Sequence, residues 1–146
     1  NIAIGLNSAL SGSPGGAQTT GGNKIFLGNH DHTQFNCQVS LSAASDQRDK
    51  TSIEELPYGL DFIDSLQPKK FTWDHRPEID IDGNERFSSN KGKKDIGFIA
   101  QELQTVDDEW LNLVYDSNPE RLEASYGKLI PVLVAVDVLL ASVTVS

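Results

Sequence analysis

The sequence predicts an α+β chain in three parts: an N-terminal β-strand segment, a small mixed α/β domain and a C-terminal coiled-coil helix. Three observations lead there. Of the 33 charged residues only Lys24 and Asp31 fall in 1–44, so the composition breaks near residue 45. Apolar residues before the break alternate with polar ones, whereas later ones follow helical spacing. The C-terminus carries a heptad pattern.

Taken in order, Ile2, Ile4 and Leu6 form a first alternating run, and Ile25 and Leu27 a second. Phe35, Cys37, Val39 and Leu41 form a third, with Cys37 on its apolar face as a core thiol. Period two implies strands with one buried face. The Gly-rich stretch 11–22 between the first two is a loop. Strands this short cannot bury their apolar faces alone, and three chains wound about one axis would solve that. Packing on the chain's own later domain is the alternative.

Beyond the break, Leu56, Leu60 and Ile63 are spaced for a helix, with Pro57 at its first position and Pro68 ending the segment. KKFTW reads as a strand. Residues 74–94 read as a hairpin or protruding loop turning at Asp82–Gly83. DIGF gives another strand, and Ile99, Leu103 and Val106 one face of a second short helix. Segments 113–115 and 122–126 are two more strands. Leu129, Val132, Val136, Leu139 and Val143 then follow 3-4-3-4 spacing in a helix over 128–145. An oligomeric seam, a plain core helix and a membrane span compete for this segment. Pro131 and Asp137 count against the span.

The charge balance narrows the function. A net charge of -9 argues against non-specific binding to a phosphate backbone. One cysteine excludes an intrachain disulfide framework and a Cys-based zinc cage. No basic stretch followed by an apolar one opens the sequence, so no secretory leader is expected. No Gly-rich phosphate loop follows a strand. Asp80, Asp82 and Glu85 lack the full spacing of a calcium loop.

Two constellations could carry chemistry. Ser45 and Lys50 lie five apart in SDQRDK. A lysine whose pKa is lowered by burial can activate a serine hydroxyl, in place of a triad. On a strand or a helix residues five apart point away from each other. Contact therefore needs a bend at 46–49, or a lysine from a neighbouring chain. On spacing alone this is also an ordinary solvated turn. His30 and His32 share a face if NHDHTQF is extended. On a trimer axis such rings could bind metal; otherwise they mark a polar loop tip.

From Ser45 onward the chain resembles the self-cleaving intramolecular chaperone domain of phage tail spikes, tail fibres and neck appendages, the S74 peptidase family. SDQRDKTSIEEL, YGLDFIDSLQPKKFTW, DIGFIAQEL and EASYGKLIPVLVAV carry the resemblance. GNKIFLGN and FNCQVSLSAA resemble the fibre segment that precedes such domains. The resemblance implies that 1–44 is the end of a β-structured fibre and 45–146 the chaperone. It implies a homotrimer that registers the fibre part of its own chain and then cuts between Ala44 and Ser45. Ser45 would be the nucleophile and Lys50 the general base. Asp46 would shape the turn, and Gln101 and Glu102 would be supporting residues. No cofactor, metal, nucleic acid or membrane partner is implied. The chain would act as a virion precursor in the host cytoplasm, with the cut domain absent from the virion or loosely attached. Two departures stand out: VDDEW where the family has a proline, and Asp137 in the last helix. A non-cleaving trimeric tip, or a receptor-binding module using 74–94, are the alternatives.

Overall fold

The computed structural model describes residues 1–144, and their side chains except at positions 139 and 142–144. Among the described residues, eight short strands pair into four two-stranded ribbons. Strands β1 (Ile2–Ile4) and β2 (Ile25–Leu27) are parallel. Strands β3 (Lys69–Thr72) and β6 (Lys94–Gly97) are antiparallel, as are β4 (Glu78–Ile79) with β5 (Glu85–Arg86) and β7 (Val114–Tyr115) with β8 (Glu123–Ala124). The helices are α1 (Leu60–Ser65), α2 (Ala100–Leu103) and α3 (Leu129–Thr144). This is the expected α+β mixture.

The core gathers one or two residues from each element of the second part. Leu103 of α2, Leu111, Leu113, Val114 of β7, and Leu129 and Val132 of α3 are buried together. Phe62 and Ile63 of α1 pack against them. Two adjacent aspartates organise the approach to β7. Asp107 accepts the amides of Leu113 and Val114 at 2.7 and 2.8 Å; Asp108 accepts those of Trp110 and Leu111 at 2.9 and 2.8 Å. The amides of the core residues Leu111, Leu113 and Val114, which would otherwise go unpaired beside the core, are thus satisfied. The departure VDDEW has a structural reason here.

The first helix starts later than expected. Pro57 lies outside it, and Gly59, in extended conformation, caps it. Leu60 faces solvent, while Phe62 and Ile63 meet the core. The hairpin over 74–94 forms at the expected place. Its turn is held by Asp80 Oδ1, which accepts the amides of Asp82 and Asn84 at 2.9 and 2.8 Å. Asp80 is thereby used as a turn residue.

The N-terminal part departs most from expectation. In β2 it is Phe26 that is buried, while Ile25 and Leu27 are exposed, as are Ile2 and Ile4. Residues 33–46 contain no strand. Phe35, Val39 and Leu41 are exposed, and Cys37 is an exposed thiol rather than a core one. A strand needs a partner for its amides and carbonyls, and among the described residues none pairs with this run.

The C-terminal helix divides the heptad positions. Leu129, Val132 and Val136 are buried within the single chain, the first two in its own core. The side chains of Leu139 and Val143, and residue 145, lie outside the described residues. Ile130, Leu133, Val134 and Val138 are each more than half exposed, so the uncovered apolar strip is not the expected seam. Among the described residues no helix is long and apolar enough to cross a membrane.

Candidate active site

A short 3₁₀ turn over Gln47–Asp49 reverses the chain just after the composition break. Asp46 caps it, accepting the Arg48 amide at 2.9 Å. The Arg48 guanidinium grips the same carboxylate at 2.5 Å from Nη2. That side-chain bond, then the amide bond, holds the Asp46 carboxyl below its ordinary range. The turn brings residue 50 back over residue 45. Lys50 Nζ donates to Ser45 Oγ at 2.8 Å and to the Ser45 carbonyl at 3.1 Å. The bend that the five-residue spacing required is present, within one chain.

Both members of the pair are solvent-exposed. As an ammonium, Lys50 donates to the hydroxyl; as a neutral amine it would accept the hydroxyl proton. The geometry suits proton transfer, since a base must reach its proton within about 2.6–3.2 Å. Neutral lysine is favoured by burial, which the single chain does not provide.

The other expected residues sit elsewhere. Gln101 and Glu102 lie on α2, where Glu102 pairs with Lys69 of β3 at 3.4 Å. Among the described residues, no hydrogen bond joins either to Ser45 or Lys50. Gln101 instead lines an open cleft of about 540 Å³ with Trp73, His75, Arg121 and Glu123. Burial pushes Glu123 up and Arg121 down there, and lowers His75 together with its neighbour His30. Trp73 and His75 stack at 4.6 Å.

His30 and His32 do not share a face, because residues 29–32 turn rather than extend. His32 folds back on Gly28, whose positive φ of 79° and missing side chain make room for the ring. Its Nδ1 accepts the Asn29 amide at 3.0 Å. The His30 side chain turns inward and is 4% exposed, beside Glu78. Local periodicity could not show this meeting, since its partners lie 48 residues apart.

Residues 45–112 match the family model described as peptidase S74, chaperone of endosialidase. This segment, a little under half of the chain, is similar to the chaperone of endosialidase. Its match begins at Ser45, the residue that the turn joins to Lys50. No curated protein and no solved structure matches the chain.

Proposed function

We propose that this chain is an intramolecular chaperone that trimerises, registers the fibre or spike segment preceding residue 45, and cuts itself between Ala44 and Ser45. The 2.8 Å Ser45–Lys50 bond at the first residue of the chaperone-family segment carries the reading. In the reaction, Lys50 Nζ takes the Ser45 hydroxyl proton as Oγ attacks the Ala44 carbonyl carbon. The C–N bond then breaks and the proton passes to the Ser45 nitrogen, leaving an ester. Water hydrolyses the ester to an Ala44 carboxylate and a free Ser45 amine. Asp46 and Arg48 hold the turn; Gln101 and Glu102 support it at a distance, from α2.

Assembly supplies the missing burial. The exposed apolar strip of α3, with exposed Ile2, Ile4, Ile25 and Leu41, is surface that a trimer would cover. A neighbour covering Lys50 would favour its neutral form and start the reaction only in the assembled state. Intact mass and N-terminal sequencing test the cut directly: a fragment beginning at Ser45 supports it, and a permanently intact assembled chain contradicts it.

Cleavage without release is the second reading, and one observation favours it. Residues on either side of Ser45 are tied together. Ser11 and Ile79 exchange bonds at 2.8 and 3.3 Å, and Asn118 donates to the Gly15 carbonyl at 2.8 Å. Ser88 and Asn90 both donate to the His30 carbonyl, at 2.7 and 2.9 Å. Native gel filtration of a cut sample separates the two readings.

A further inference from the structure

Three donor atoms meet where the N-terminal segment packs on the β4–β5 hairpin. His30 Nε2 lies 3.7 Å from Glu78 Oε2 and 3.9 Å from Asp31 Oδ1. The side chains of His30 and Glu78 are 4% and 1% exposed. Among the described residues, neither His30 Nε2 nor Glu78 Oε2 has a hydrogen-bond partner. Buried polar atoms left this way are costly, so the site asks for a further occupant.

The surroundings fit one. Arg86 engages the other carboxylate oxygens, donating from Nε to Glu78 Oε1 at 2.7 Å and from Nη2 to Asp31 Oδ2. This offsets part of the negative charge and leaves Glu78 Oε2 and Asp31 Oδ1 nearest the imidazole. Asp31 Oδ1 also accepts the Ser89 amide at 2.9 Å, which fixes its orientation. Gly12 provides space, since a Cβ there would lie 2.1 Å from Glu78 Oε2.

The geometry points to a site for a divalent transition-metal ion such as Zn²⁺, held by His30 Nε2, Glu78 Oε2 and Asp31 Oδ1. All three atoms lie within 4.8 Å of one another. Tetrahedral ligands about 2.1 Å from an ion sit roughly 3.4 Å apart, so the imidazole lies only a few tenths of an ångström too far from each carboxylate oxygen, at 3.7 and 3.9 Å. One imidazole with two carboxylates suits zinc or manganese better than magnesium or calcium. The ligands come from both sides of Ser45, so a bound ion would tie the two pieces together across the cut. That consequence alone rests on the cleavage reading.

The test uses Zn²⁺ and the whole chain carrying Ser45→Ala, so residues 30 and 78 stay in one molecule whether or not the natural chain cuts. After chelation and removal of the chelator, Zn²⁺ is titrated by calorimetry and Co²⁺ by absorption. The expected result is one ion per chain, a visible Co²⁺ band and a melting temperature raised by several degrees. Glu78→Gln should weaken binding on the order of tenfold or more. Gly12→Ala, which displaces the Glu78 carboxylate without removing a ligand, should do the same. Absence of bound Zn²⁺ and of the Co²⁺ band in the parent chain would overturn the site even if both variants fail to fold. So would unchanged affinity in folded Glu78→Gln, or an imidazolium at His30 in saturating Zn²⁺ by NMR.

Discussion

At the scale of single residues, the two ends of the Ser45–Lys50 bond have separable roles. Ser45→Ala should leave the chain full length with assembly intact, because the side chain removed is small and exposed. Lys50→Arg is the sharper probe. Arginine keeps the charge and can still donate to Oγ, but it does not deprotonate in this range. Removing a general base costs about 10²–10⁴ in rate, so cleavage of Lys50→Arg, followed by intact mass, should fall at least to the bottom of that range. Cutting at the parent rate would show that Lys50 only orients the serine. Spacing alone left the pair open between a site and a solvated turn; the resemblance singled it out, and the polar turn between the two residues brings their side chains together. The His30–Glu78 meeting was not legible, because nothing in either neighbourhood marks the other.

At the scale of elements, the strand and turn signals that lie within one ribbon were readable, and those that depend on a distant partner were not. KKFTW and DIGF pair with each other, and Asp82–Gly83 turns the hairpin. The alternation at Phe35–Leu41 has the period of a strand but no strand beside it. Pro57 is a good first helical residue by type, but the extended backbone at Gly59 caps α1 three residues before Phe62, so the helix starts after Pro57 and not on it. One clasp joins that region to the α2–β7 turn: Tyr58 donates its hydroxyl to Asp108 Oδ2 at 2.6 Å. Burial, and then this bond and the nearby carboxylates, push Tyr58 up to about 12 from 10.0. The same bond first, then the Leu111 amide, lowers Asp108 from 3.8. A raised tyrosine contributes stability that is complete below its unfolded value of 10.0 and lost as pH climbs toward about 12. A lowered carboxyl contributes stability present above 3.8 and lost as pH falls through its folded value. Thermal melts of Tyr58→Phe should therefore run a few degrees below the parent across neutral pH, with the gap closing at both extremes. A gap that stays constant to pH 12 would show that the hydroxyl does not carry it. In the core, Leu113 is fully buried, and Leu113→Ala should cost about 2–5 kcal/mol by denaturant melt.

At the scale of the whole molecule, a single chain leaves much apolar surface in water, and the distribution is informative. The buried side of α3 serves the chain's own core, so Val132→Asp would unfold the chain and say nothing of assembly. Ile130 and Val134 lie on the uncovered strip, at 65% and 59% exposure. Ile130→Asp or Val134→Asp should give a folded monomer by sedimentation, since a trimer would have to bury three unpaired carboxylates around one axis. A trimer that persists in both variants would place the contact elsewhere. The heptad spacing announced a helix with one sticky face, but spacing alone could not say whether that face meets a core or a neighbour.

Timed intact-mass analysis of the purified chain, sampled alongside sedimentation and finished by N-terminal sequencing, bears most directly on the proposed self-cleavage. The expected result is a break between Ala44 and Ser45 that appears only once trimers have formed. It should be absent from Ser45→Ala and Lys50→Arg, and from the monomeric Ile130→Asp chain. A fully assembled parent chain that never acquires Ser45 as a new N-terminus, or a Lys50→Arg chain that acquires it as fast, would contradict the proposal.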